Sequence, residues 1–158
     1  MRHVLSIVVA NNPGVLGRVV SLFSRRGYNI DSLSVGTSED QRYTRITVSV
    51  QGDEQIVEQI QKQVAKLVDV QDVVELKSDA AIYRELCLVK VEADSNARHE
   101  IFNVATVFRA SVIDVSTKTM TMELTGDFNK INAFLELMKP YGILAIARTG
   151  LTAVSRGA

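Results

Sequence analysis

The sequence predicts an α+β protein made of two consecutive βαββαβ halves. Three observations predict it. Apolar runs of two different periods alternate along the chain, the order of alternation is the same on either side of residues 77–84, and short pairs of letters recur at comparable places. Ile30-Asp31 is echoed by Ile113-Asp114, and Gly52-Asp53 by Gly126-Asp127.

Residues 5–10 form a β-branched apolar run that reads as a strand and breaks at Asn11-Asn12-Pro13-Gly14, a strong turn cluster. A helix is expected next, because Val15, Leu16, Val19, Leu22 and Phe23 recur at helical spacing. Arg25-Arg26-Gly27 ends it with basic residues followed by glycine, as a helix C-terminus prefers. Residues 28–36 read as a strand and residues 38–41 as a polar hairpin loop. Residues 43–50 alternate, with Ile46, Val48 and Val50 on one face and Arg45, Thr47 and Ser49 on the other, so burial of one face only is expected. Asp53 is a candidate N-cap for a helix carrying Ile56, Ile60, Val64 and Leu67, and residues 68–76 return as a strand.

The second half repeats the order. Residues 86–91 are a strand, and Ile101, Val104, Ala105 and Phe108 mark a helix. A hairpin follows over residues 112–115 and 120–124. Ile131, Phe134, Leu135 and Met138 mark the second helix, and residues 143–147 the last strand. Two such units with right-handed crossovers give ferredoxin-like domains, expected over residues 1–78 and 79–158, each an antiparallel sheet with both helices on one face. Units this small are marginal alone and leave edge strands open, so side-by-side pairing of sheets is expected.

Eighteen basic and eighteen acidic residues cancel among 158, which removes the electrostatic footprint of a nucleic-acid binder. RNA recognition on such a sheet would also need stacking aromatics on the central strands, and the first strand has none. The lone cysteine, Cys87, sits in an apolar run and reads as a buried thiol; a disulfide framework and a paired-cysteine metal site are both excluded. No apolar run approaches the ~18 residues of a membrane span, and Met1-Arg2-His3 leads straight into a strand, so a soluble cytoplasmic protein is expected.

Catalytic candidates are thin. Gly14 and Gly17 alone match a dinucleotide fingerprint poorly. His3, in a frayed start, and His99, in a polar helical turn, read as surface histidines. Asp31 and Asp114 are expected to face solvent or a subunit contact. No catalytic residue and no metal ligand set is identified, which favours a binding or regulatory module.

The most suggestive place is the turn after the first strand. There a helix begins whose first N–H groups lack intrahelical partners, next to the amides of Asn11 and Asn12 and the open backbone of Gly14. A free amino acid needs donors for its carboxylate, an acceptor for its ammonium and an apolar wall. A tight turn with no ligand explains the same residues.

Residues 11–19 and 23–33, Asn-Asn-Pro-Gly-Val-Leu-Gly-Arg-Val and Phe-Ser-Arg-Arg-Gly-Tyr-Asn-Ile-Asp-Ser-Leu, resemble the ACT domain of the small, regulatory subunit of acetolactate synthase. The likeness continues through Gly52-Asp53-Glu54, Arg84-Glu85-Leu86, Phe108-Arg109, Ala147-Arg148-Thr149-Gly150 and Ser155-Arg156-Gly157. The resemblance implies a regulatory chain without chemistry of its own, homodimeric through its ACT domains. It would activate a catalytic large subunit that makes 2-acetolactate from two pyruvates, or uses 2-oxobutanoate, in branched-chain amino acid synthesis. Thiamine diphosphate, Mg2+ and FAD would belong to that partner and no cofactor to this chain. Valine would act as feedback effector, held by Asn11, Gly14, Val15 and Leu16 of one protomer and Asn29 and Ile30 of the other. The alternative is a stand-alone ACT-type sensor regulating a different enzyme.

Overall fold

The computed structural model describes residues 1–157, which divide into two compact units: Met1–Ile82 together with residues 151–157, and Tyr83–Gly150. In the first, β1 (Arg2–Ala10), α1 (Val15–Arg26), β2 (Asn29–Thr37), β3 (Tyr43–Gln51), α2 (Glu54–Ala65) and β4 (Val70–Glu75) give the βαββαβ order. The sheet runs β2-β3-β1-β4, antiparallel throughout. Leu5, Ile7 and Val9 point from β1 to the helix side, where Ile46, Val48 and Val50 of β3 join them under Val19, Phe23, Ile60 and Val64. Phe23 and Tyr28 close one end edge to face, their ring centres 5.9 Å apart.

Both helix boundaries read from the sequence have a mechanism. Gly27 takes φ 68°, and the N–H groups of Gly27 and Tyr28 turn back to Ser24 O (3.2 Å) and Phe23 O (3.0 Å). Asp53 Oδ1 accepts from Ile56 N at 2.9 Å and fixes the start of α2. That start sets the helix phase so that Val57, Ile60 and Val64 face the core. Ile56, expected in the core, is therefore turned out and lies over Gly52, whose missing side chain leaves room for it.

The second unit contains β5 (Ala81–Glu92), α3 (Arg98–Val107), β6 (Ser111–Val115), β7 (Thr119–Gly126), α4 (Phe128–Met138) and β8 (Ile143–Arg148), with sheet order β6-β7-β5-β8. Cys87, Val89 and Val91 pack with Met122 and Leu124 beneath Ile101, Ala105, Ile131 and Phe134. Asp127 caps α4 as Asp53 caps α2, accepting from Lys130 N at 2.9 Å.

The repeat extends to irregularities that the letters do not disclose. Bulges interrupt β2/β3 between Ile30 and Ser32 and β6/β7 between Val112 and Asp114; others fall between Val8 and Val9 and between Lys90 and Val91. At the end of α3, Ala110 N returns to Ala105 O (2.8 Å) and Arg109 takes φ 58°, as Tyr28, Phe23 and Gly27 do at the end of α1. Every one of these pairs is 82 residues apart. The structural counterpart of Asp31 is consequently Ile113, one place from the pairing suggested by the repeated Ile-Asp letters.

Expectations of exposure are also corrected in the first unit. Thr47 and Ser49, assigned to a solvent face, are 2% and 1% exposed. The segment after residue 150 returns to this unit: Leu151 N reaches Ser32 Oγ at 3.3 Å, and Ser32 is paired with Ser49 in the ladder. Leu151 and Ala153 are buried there, and β9 (Thr152–Ser155) pairs with β5, whose first two residues belong to this unit. His3 is likewise buried, because β1 begins at Arg2 and its start is tied down on both sides of His3 by Gly52 N to Met1 O (3.0 Å) and Leu76 N to Val4 O (2.8 Å). His99 is exposed, as expected. Among the described residues no helix is long and apolar enough to cross a membrane.

Candidate functional site

Strand β1 ends at Ala10, whose N–H goes to Asp69 O; Asn11 N goes to Arg42 O, both at 2.9 Å. Asn12 N then folds back to Ala10 O, Pro13 fixes the next φ, and Gly14 takes φ 83°, ψ −8°, a left-handed conformation that side chains resist. Helix α1 starts at once. No side chain caps it, and its first turn holds no acidic residue. Val15 N turns to Asn12 O at a long 3.4 Å, and the other first N–H groups of the helix, with the positive end of its dipole, stand beside Gly14.

The surroundings suit a small zwitterion. Arg18 is ion-paired with Asp69 at 2.7 Å, and a side chain on Gly14 would meet its guanidinium at 3.4 Å, so the guanidinium adjoins the helix start with its charge shared with Asp69. Asn11 donates from Nδ2 to Gln41 O (3.2 Å) and accepts at Oδ1 from Thr44 Oγ1 (3.1 Å). One lone pair on that oxygen is left over. Val15 is buried under the sheet, but Leu16, expected on the same apolar face, is 40% exposed because its position on the helix turns it outward.

Asn29 and Ile30 lie elsewhere. They open β2 after the end of α1, Asn29 opposite Gln51 and exposed, Ile30 opposite Val50 and half-buried. The twelve residues of α1 separate them from Gly14 by about 18 Å along the helix axis. One copy of the chain thus brings Asn11, Gly14, Val15 and Leu16 together and keeps Asn29 and Ile30 apart from them. β2 is an edge strand, paired on one side only by β3.

Sequence reasoning did not find the polar brace behind Asn29. The bulge aims Asp31 at Arg2 Nε (3.1 Å) and Gln51 Nε2 (2.7 Å), tying β2 to the start of β1 and the end of β3. Nor did it find His3, whose Nδ1 is 2.8 Å from Glu75 Oε2 and whose Nε2 is 3.1 Å from Gly52 O. A cleft of about 660 Å³ on the sheet face away from the helices, lined by Ser6, Val8, Tyr43, Arg45 and Val154 among others, includes none of the six candidate residues. Cys87 is buried, and desolvation pushes its thiol up, away from the reactive thiolate. Among the described residues no group of three or more His, Cys, Asp or Glu side chains could hold a metal ion.

Comparison with known proteins covers both units. Residues 5–72 match a family model described as AHAS small subunit-like ACT domain, and residues 84–157 one described as small subunit of acetolactate synthase. A probable acetolactate synthase small subunit of Archaeoglobus fulgidus is 46% identical over 157 residues, covering 99% of this chain and 98% of that one. The acetolactate synthase small subunit of Mycolicibacterium smegmatis is 48% identical over 98% of this chain and 91% of its own length. The crystal structure of the acetolactate synthase small subunit from Thermotoga maritima superposes with a TM-score of 0.92 at 39% identity, covering 100% of this chain and 99% of that one.

Proposed function

Because this chain belongs to the family of acetolactate synthase small subunits, the regulatory parts of that enzyme, we propose that it confers feedback inhibition by valine on its catalytic large subunit. The chain also raises the activity of that partner, a thiamine-diphosphate-dependent enzyme using Mg2+ and FAD in the cytoplasm. The partner joins two pyruvates into 2-acetolactate with release of CO2, or pyruvate to 2-oxobutanoate.

The observation that carries the valine reading is the uncapped start of α1 at Gly14. A ligand carboxylate placed on the N–H groups of Gly14, Val15 and Leu16 gains about 0.3–1 kcal/mol from the helix terminus beyond its hydrogen bonds. The spare lone pair of Asn11 and the amide of Asn29 receive the ammonium, and Leu16 and Ile30 wall the isopropyl group. Because Asn29 and Ile30 stand a helix length from Gly14 in one copy, they come from a second copy docked along β2.

A ligand shared in this way binds the dimer better than separated chains and favours whichever dimer arrangement closes the site. A coupling of about 1–3 kcal/mol between that arrangement and the catalytic partner is enough for clear inhibition. Calorimetric titration of the chain with valine, followed by acetolactate assays of the reconstituted holoenzyme, tests it. Saturable heat and valine-sensitive turnover are expected; a silent titration, or a holoenzyme indifferent to valine, overturns the reading.

A further inference from the structure

With the effector site of the first unit as premise, we infer that the second unit carries the same site in a form closed by its own side chains, so that the chain takes effector through the first unit alone. The spacing of 82 residues across β1, α1 and β2, fixed by two pairs of bulges and by the matching ends of α1 and α3, gives each site position its counterpart. Gly14 corresponds to Asn96, Val15 to Ala97, Leu16 to Arg98, Asn11 to Ala93, Asn29 to Ser111 and Ile30 to Val112.

At the start of α3 the donors are already used. Asp94 Oδ1 accepts from Asn96 N at 3.0 Å and from Ala97 N at 2.8 Å, the counterparts of Gly14 N and of Val15 N, which in the first unit reaches only a backbone oxygen, Asn12 O, at 3.4 Å. A carboxylate of the chain itself thus occupies the place assigned in the first unit to the carboxylate of the amino acid. Its own counterpart there is Asn12, whose side chain caps nothing in α1.

The other requirements are gone as well. Ala93 offers no amide and is buried. Arg98 replaces an apolar wall with a cation that reaches Ser116 O at 2.5 Å. A second carboxylate arriving there would meet Asp94 at contact distance, and like charges that close are strongly unfavourable. The self-capped helix is held permanently in the state that the first unit reaches only with ligand.

Amide resonances of the full-length, isotope-labelled chain titrated with L-valine test this. Shifts at residues 14–16 with residues 94–98 unmoved are expected, as is loss of all binding in Gly14→Asp. Saturable shifts at Asn96 and Ala97, or residual binding in Gly14→Asp mapped to them, overturn the closure. If valine moves neither place, the proposed effector site fails and the closure is decided by hydrogen exchange. Exchange at Asn96 and Ala97 accelerated about fivefold in Asp94→Ala sustains the capping; unchanged exchange overturns it.

Discussion

Arg18 stands 2.7 Å from Asp69 while its guanidinium lies 3.4 Å from where a side chain on Gly14 would begin. A carboxylate introduced at residue 14 therefore lands between a cation and the open N–H groups of α1. Gly14→Asp should occupy the ligand's place from within and abolish valine inhibition. The φ of 83° costs an aspartate about 1 kcal/mol, less than it would a β-branched residue, so the fold should survive. Retained valine sensitivity in the reconstituted holoenzyme, with an unchanged circular dichroism spectrum, contradicts the site.

His3 and His99 look alike in the sequence and should behave differently. Both ring nitrogens of His3 face acceptors, Glu75 Oε2 and Gly52 O, in a place only 5% exposed. His3→Ala removes both contacts and leaves those acceptors poorly satisfied, which should cost about 1–3 kcal/mol in urea unfolding. His99 is exposed, and His99→Ala should change stability by less than about 0.5 kcal/mol.

That difference marks what the sequence discloses. Local signals were readable: Gly27 and Asp53 stop and start helices through bonds to their immediate neighbours, and the 2.0 and 3.6 periods placed the strands and helices around Ile7, Val48, Ile60 and Phe134. Burial that depends on distant chain was not readable. His3 is covered because residues 52 and 75 come back to it, and Thr47 and Ser49 because residues 151–153 return from the far end of the sequence. Alternation along β3 reports that one face is apolar; it is silent on a polar face roofed by another segment. The site was half legible for the same reason. Asn11 to Leu16 are neighbours in sequence and in space, whereas Asn29 and Ile30 lie at the far end of α1 and nothing local to them relates them to its start.

In the loop between β2 and β3, Asp40 accepts from Arg42 Nε at 3.1 Å and from Nη2 at 2.7 Å. Those hydrogen bonds, with the backbone N–H of Arg42, lower its carboxyl from 3.8 to about 2. A depressed folded value makes the pair's contribution complete above the unfolded value, and it is lost as the pH falls through about 2. The Asp40 side chain is 38% exposed and Arg42 79%, so solvent screens the pair's effect on global stability. Carboxyl carbon resonances should show Asp40 titrating near 2, moving back toward 3.8 in Arg42→Ala.

In the second unit, Glu85 and Arg148 form a charge pair whose two members are unequally exposed. Glu85 is 5% exposed and accepts from Arg148 Nε, while Arg148 Nη1 donates to Asn132 Oδ1 at 3.0 Å. The arginine side chain is 28% exposed and its guanidinium carbon lies 5.8 Å from the centre of the Phe128 ring. Removing the arginine strands a buried carboxylate, whereas removing both charges strands nothing. Arg148→Met alone should cost about 3 kcal/mol, the low end for a buried pair because water already reaches the arginine. Adding Glu85→Gln should recover more than half of that loss, since a neutral amide in the same volume needs no counter-charge. Urea unfolding of the two single variants and the double variant gives the coupling directly. Equal stability of Arg148→Met and the unsubstituted chain would show that solvent, and not Arg148, holds the charge of Glu85.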